Sequence, residues 1–236
     1  MSGKFVLPFK LQFQPVVLPV EIEDNKLKML SLDDLRKNGK FDMANWLESA
    51  ENVWEKNATK TSLKNFPNAL DRLNYHNLLI IQGQNPRYLV IYTASGTHIA
   101  ATVVDTKKIH SLKIGNAKIS PKGFIVDYTT LWIGTHDSKE AYYLAAILNS
   151  NTLDKMIKKY QPRGKFGPRH ICRLPFKFNI PNFDPENGLH KQLMTIGLKA
   201  TKEAANLKKM SRLKTKASIP SMKDIDDLVS ELLEKK

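Results

Sequence analysis

The spacing of hydrophobic positions changes several times along the chain, and each change marks a different kind of element. Residues 5–22 read as extended segments cut by proline: Phe5-Val-Leu-Pro8, the alternating Lys10-Leu-Gln-Phe-Gln14, and Val16-Val-Leu-Pro-Val-Glu-Ile22. Ser31-Leu-Asp-Asp34 has the form of a helix cap, and Ala44, Leu47, Ala50, Val53 and Trp54 repeat at helical spacing over 42–56. From Leu78 the pattern becomes strand-like. Leu78–Gln82, Tyr88–Thr93, Ile99–Val104 and Phe124–Tyr128 are short runs rich in β-branched or aromatic residues, and Leu131-Trp-Ile-Gly134 adds another. Turn formers separate them, and Ser95-Gly96 has the character of a hairpin turn.

Helical periodicity returns at Asp137 or Ser138, which cap a segment with Glu140 in its first turn and Leu144, Ile147 and Leu148 as its stripe. Leu153–Tyr160 reads as a second, basic helix. A Gly- and Pro-rich loop at 161–170 follows, then a short extended run, Ile171-Cys-Arg-Leu-Pro175, and an irregular stretch over 175–188. A long helix from about Leu189 to Met210 carries Leu193, Ile196, Ala200, Ala204 and Leu207 on one face and lysines on the other. After a polar break at Lys214–Ser218, a terminal helix has Ile225, Leu228, Val229, Leu232 and Leu233 as its stripe.

These elements predict an α+β fold: a mixed or antiparallel sheet with flanking helices and a helical C-terminal extension. Three divisions are expected: an N-terminal extended segment over 1–40, a main α+β domain over 41–186, and C-terminal helices over 187–236 that brace it or dock a partner. With 236 residues, 42% hydrophobic and 25% charged, the chain has the composition of an ordinary globular protein. It has no run of about eighteen apolar residues, so a membrane span is not expected. The single cysteine, Cys172, excludes an internal disulfide framework and suits the cytoplasm.

Charge changes the picture more than composition does. The formal net charge is +14, and sixteen Lys and Arg stand against four Asp and Glu between Asn151 and Lys216. A field concentrated in one stretch is suited to a polyanion, of which nucleic acid is the commonest.

Within that stretch lies Arg163-Gly-Lys-Phe-Gly-Pro-Arg-His170. Gly164 and Gly167 allow unusual backbone dihedrals and close approach to a ligand. Arg163, Lys165 and Arg169 supply cations, Phe166 offers a ring for stacking or wedging, and His170 can hydrogen-bond. The loop is not a Walker loop, because no Lys-Ser/Thr follows its glycines at the required spacing. On the preceding helix, Lys155, Lys158 and Lys159 are candidates for phosphate neutralisation.

Other candidates carry less. Asn85-Pro-Arg-Tyr88 has some likeness to the Asn-Pro-Pro-Tyr segment of adenine-N6 methyltransferases, but Arg87 replaces the second proline, and the segment reads as a turn before a strand. The Gly-x-Gly-x-x-Gly cofactor cradle is absent. His170-x-Cys172 has no second ligand pair for zinc. His98, His110 and His136 show no accompanying carboxylate pattern, and Asp127 has no acidic-x-Lys partner of the nuclease kind. Trp46, Trp54 and Trp132 suit a core.

Taken in order, several stretches resemble the C-terminal target-recognition region of type IIG restriction–modification proteins, which are large adenine-N6 DNA methyltransferases. They are Tyr88-Leu-Val-Ile-Tyr-Thr-Ala-Ser-Gly-Thr-His-Ile-Ala-Ala101, Phe124-Ile-Val-Asp-Tyr-Thr-Thr-Leu-Trp-Ile133, Glu140-Ala-Tyr-Tyr-Leu-Ala-Ala-Ile-Leu-Asn-Ser150, Arg163–Ile171, Leu174-Pro-Phe176, and Ile180-Pro-Asn-Phe-Asp184 with His190. The resemblance implies a module that reads duplex DNA. A separate catalytic domain or subunit would bind S-adenosylmethionine and methylate a flipped adenine. No cofactor is expected in this chain itself. Arg163 and Arg169 are then the candidates for phosphate or guanine-edge contacts. An RNA-binding or ribosome-associated basic protein, and a methyltransferase or nuclease with an unfamiliar centre, stand as alternatives.

Overall fold

The computed structural model describes residues 5–24, 26–82, 86–109, 111–164, 167–208 and 210–234. It divides the chain into two compact units, one formed by residues 1–14 with 85–236 and the other by 15–84. The helix expected over 42–56 therefore belongs with the segment around it and not with the sheet-bearing unit.

The larger unit begins with a two-strand ribbon, β1 (Val6–Leu7) and β2 (Lys10–Leu11). Between them Phe9 takes a left-handed φ of 57° and is buried, with its N–H donating to Ala101 O at 2.8 Å. The smaller unit opens with an antiparallel hairpin, β3 (Val20–Glu23) and β4 (Lys26–Met29). Four helices follow: α1 (Leu32–Lys37), α2 (Phe41–Asn57), α3 (Lys60–Asn65) and α4 (Ala69–Leu73). The Ser31 cap is present as a full capping box, in which Ser31 Oγ accepts from Asp34 N and the Asp34 carboxylate accepts from Ser31 N. Leu30, Leu35, Ala44 and Leu47 form the core of this unit.

Leu78–Gln82 does not form the expected strand. Residues Ile80–Gln82 are a 3-10 turn, because local side chains satisfy the backbone instead of a neighbouring strand: Asn74 Oδ1 accepts from Ile80 N, and Gln82 Nε2 donates to Leu78 O at 2.6 Å.

Back in the larger unit, β5 (Tyr88–Thr93) is the centre of a three-stranded antiparallel sheet. Its neighbours are β6 (Ala101–Asp105) and, beyond the hairpin of β7 (Leu112–Ile114) and β8 (Ala117–Ile119), β9 (Thr130–Thr135). Tyr88 faces Asp105 on one side and Thr135 on the other. The period of two in β5 sorts its residues onto two buried faces. Val90 and Tyr92 meet the helical core, while Leu89 and Ile91 join Val6, Val104 and Val126 on the opposite side. A sheet covered on both faces explains why Tyr88–Thr93 is nearly continuously hydrophobic. The run Phe124–Tyr128 forms no strand. Val126 instead fills that second face, and Asp127 Oδ1 accepts from Thr129 N in a turn that feeds β9.

The helical layer starts with α5 (Ser138–Asn149), capped by Asp137 as expected, and α6 (Asn151–Lys158), capped by Ser150. A short ribbon, β10 (Arg163–Gly164) and β11 (Gly167–Pro168), precedes a 3-10 helix at Leu174–Phe178. The extended run expected at Ile171–Pro175 is thus corrected: Pro175 sits in the first turn of a helix, where its missing N–H costs nothing. The long helix is α7 (Gly188–Ala205). The polar break at Lys214–Ser218 is largely helix, α8 (Arg212–Ala217), with Ser211 Oγ accepting from Lys214 N as its cap. The terminal helix is α9 (Met222–Glu234). The whole is an α+β fold with antiparallel pairing throughout the described strands.

Helix α5 is buried almost all round, packed between the sheet and α7. The α5–α7 approach is close because α7 presents Gly197, where a Cβ would lie 2.3 Å from Tyr142 O. Gly197→Ala is therefore expected to force the helices apart and lower the unfolding temperature of the larger unit, by about 1–3 kcal/mol of stability. An unchanged denaturation midpoint would show that the helices slide without cost.

Candidate nucleic-acid interface

The basic loop is fixed at its base by the turn between β5 and β6. Gly96 N donates to Arg169 O at 2.7 Å, Ile171 N and Cys172 N both donate to Ala94 O at 3.0 and 2.9 Å, and Ser95 bridges His170. Gln161, itself buried, donates through Nε2 to Gly96 O and His170 O. The turn expected at Ser95-Gly96 thus has a second task beyond reversing the chain. Gly96 suits it with a φ of 147°, and a Cβ there would lie 2.9 Å from the Arg212 guanidinium.

From this base the backbone of Arg163–Gly164 pairs with that of Gly167–Pro168. Lys165 and Phe166 lie outside the described residues, as do the side chains of Arg163 and Pro168. Arg169 and His170 are exposed at the foot of the ribbon.

On α6, Leu153 and Ile157 face the core while Lys155 and Lys159 are exposed. Lys158 falls one turn after Asp154 and pairs with it, Nζ to Oδ2 at 3.0 Å. Asp154 is 3% exposed and well supplied with donors. Its Oδ1 accepts from Ile99 N at 3.0 Å, and its Oδ2 lies 2.8 Å from His98 Nδ1. Burial alone would raise its pKa. The bonds from His98 and Ile99, the charge of Lys216 and the bond from Lys158 outweigh this and leave it below the usual carboxylate value.

His98 therefore has a carboxylate partner that the sequence did not reveal, 56 residues away on another element. Ser150, which caps α6, and the β5–β6 turn bring the two together; neither signal is a local spacing. Among the described residues no hydroxyl or thiol is hydrogen-bonded to His98 Nε2, so this pair is not set beside a nucleophile in the manner of a hydrolase triad.

Behind this cluster Lys216 of α8 is 4% exposed, and among the described residues its Nζ has no hydrogen-bond partner. Burial pushes its pKa from 10.5 down to about 8, opposed by the carboxylates of Asp154 and Asp226 and assisted by Lys158. Asp226 is itself engaged, accepting from Asn151 N at 2.6 Å and from Asn151 Nδ2 at 2.8 Å.

Several residues of the Glu140–Ser150 and Ile180–Asp184 stretches, and His190, build the scaffold. Asn149, fully buried, acts as a peptide surrogate for β6: its Oδ1 accepts from Ala101 N at 2.9 Å and its Nδ2 donates to Ala101 O at 2.8 Å. The next residue, Ser150, caps α6 through its Oγ at Leu153 N. The Leu-Asn-Ser sequence thus joins α5 to the sheet and starts the basic helix. Tyr143 donates to Pro181 O at 3.0 Å and packs against Phe183 and His190, and burial raises its pKa. His190 Nδ1 accepts from Asp184 N, and burial lowers its pKa, with Asp184 opposing. A neutral imidazole in this setting holds the 180–184 segment onto α7.

His110 lies outside the described residues, and Cys172 is exposed with a left-handed φ of 40°. Among the described residues no group of three or more His, Cys, Asp and Glu is placed to hold a metal ion, and no helix is long and apolar enough to cross a membrane. The chain matches no family model and no curated protein.

Proposed function

We propose that the chain is a sequence-specific duplex-DNA recognition module of an adenine-N6 methyltransferase or restriction–modification system, with the catalytic domain, and its S-adenosylmethionine, supplied by a separate domain or subunit. The observation that supports this reading most is the coupling of the glycine-rich basic ribbon to a rigid base: the Arg169 carbonyl and the 170–172 backbone are held on the β5–β6 turn. A preorganised base lets a short ribbon enter a groove without losing its geometry on binding. Arg163 and Arg169 are assigned to guanine edges or phosphates, and His170, Lys165 and Phe166 to adjacent contacts. Lys155 and Lys158 on α6, with Lys159 at its C-terminal cap, neutralise phosphates and set the register.

The test compares two double variants in duplex-DNA binding at physiological salt, after selection of a preferred site from random duplexes. Arg163→Ala with Arg169→Ala is expected to weaken binding by about tenfold or more and to relax sequence preference. Lys208→Ala with Lys209→Ala should weaken it less and leave preference intact. Equal losses would mean that charge acts diffusely. Equal affinity for structured RNA and duplex DNA, with no preferred DNA sequence, would overturn the reading in favour of an RNA-binding protein.

A further inference from the structure

His98 was not among the residues that the sequence put forward for DNA contact, yet the structure gives it the surroundings of an anion ligand. Its Nδ1 is 2.8 Å from Asp154 Oδ2, which fixes the plane of the ring. Its Nε2 has no hydrogen-bond partner within the described residues. The side chain is 29% exposed, so part of the imidazole is accessible to a ligand. Lys158 Nζ stands 3.1 Å from His98 Nδ1 and 3.0 Å from the same carboxylate oxygen, 31% exposed, with donor capacity left over because an ammonium carries three protons.

Charge at the cluster favours an anion. Asp154 is a single carboxylate faced by His98, Lys158 and the buried, unpartnered Lys216. The second nearby carboxylate, Asp226, is taken up by the backbone and side chain of Asn151. Position fits as well. His98 lies two residues beyond Gly96, whose N–H holds the foot of the basic ribbon, and Lys158 shares an exposed helix face with Lys155 and Lys159.

We infer that His98 and Lys158 form a phosphodiester-binding pair: His98 binds as the imidazolium, with Nδ1–H donating to Asp154 and Nε2–H donating, together with Lys158 Nζ, to one backbone phosphate of the nucleic acid. Asp154 is a positioning residue in this pair and makes no contact with the phosphate. The pair rests on the DNA-binding reading above and adds a sequence-independent anchor beside the ribbon.

The discriminating variant is His98→Asn, whose amide can donate to Asp154 as Nδ1 does but has nothing in place of Nε2. Duplex binding is measured over a salt series with preferred and scrambled sequences, and thermal unfolding is followed in parallel. The expected result is a loss of about tenfold on both sequences, a plot of log affinity against log salt shallower by about one, and an unfolding temperature close to that of the parent. Lys158→Gln should do the same. Unchanged affinity and slope in both variants, with the parent binding DNA normally, would overturn the pair and leave the recognition reading standing. A second arm titrates inorganic phosphate while the His98 ring nitrogens are observed by NMR. A parent protein that fails to bind duplex DNA but shows a phosphate-induced shift at Nε2 would overturn the DNA reading and keep the phosphate site. No shift at Nε2 up to high phosphate, in a parent whose DNA affinity His98→Asn does not alter, would remove the site altogether.

Discussion

Replacing Asp154 with Ala is expected to destabilise the larger unit by about 3–5 kcal/mol, measured as urea or thermal unfolding of the sheet signal. The size follows from what the carboxylate serves. It is nearly inaccessible to water and accepts from Ile99 N while engaging His98 and Lys158. Truncation leaves a buried N–H without its acceptor and concentrates Lys216 and Lys158 without their shared counter-charge. Asp154→Asn should fall between, since it keeps an acceptor for Ile99 N but removes the charge. The pH dependence has a definite sense. The folded-state pKa lies below the ordinary 3.8, so the stabilisation is complete above that value and is lost as pH falls through the lower folded-state pKa. A loss below about 1 kcal/mol for Asp154→Ala would mean that water replaces the carboxylate, and would contradict the closed cluster described above.

Replacing Lys216 should have the opposite effect on stability, although its pH dependence has the same sense. Burial brings its amine from 10.5 to about 8, so between those values the unfolded chain holds a proton that the folded chain has released. Stability therefore rises with pH across that window, by about 3 kcal/mol if the full shift is expressed. At neutral pH the folded protein carries the cost of a charged, unpartnered ammonium in its interior. Lys216→Met keeps the length of the side chain and removes that cost. It is expected to raise the unfolding temperature at pH 7 by roughly 2–6 °C and to flatten the alkaline rise. A lower unfolding temperature in Lys216→Met would instead show that the ammonium is held by water-mediated bonds to Asp154 and Asp226 that outweigh its burial.

Those two side chains also show what the sequence conveys and what it withholds. Periodicity was sufficient for α5, α7 and α9, because a stripe such as Leu193, Ala200 and Ala204 has one physical cause, burial of a helix face. It was sufficient for β5, β6 and β9 as well. It does not place Leu78–Gln82 and Phe124–Tyr128, where Leu79 and Val126 are buried without joining a ladder and Ile81 and Tyr128 stay exposed, so that composition and pairing part company. The helix at Arg212–Ala217 is hidden for a related reason: its residues are mostly polar, and six are too few to show a periodic apolar stripe behind the Ser211 cap.

The basic loop and the lysines of α6 could be found locally, since cations and glycines crowd within a few residues. The pairing of His98 with Asp154 could not. It depends on where Asn149 locks α5 to Ala101, which sets where α6 begins and hence where its first turn meets the β5–β6 turn. Lys216 likewise looked like one more solvated lysine in a basic tract.

The ribbon of residues 6–11 belongs to the larger unit although residues 15–84 intervene before the rest of that unit begins. Phe9 needs Ala101 for its backbone bond, the Val6 carbonyl is met by Arg212, and Lys10 caps the end of α7 at the carbonyls of Ala205 and Leu207. On the ribosome the earliest of these pieces must wait for the latest, an interval on the order of ten seconds or more at ordinary elongation rates. During it the 15–84 unit has all its own core residues in hand and can settle first. The larger unit closes only when nearly its whole length has emerged, so its first hydrophobic segment is the one most exposed to mispairing or chaperone capture in the meantime.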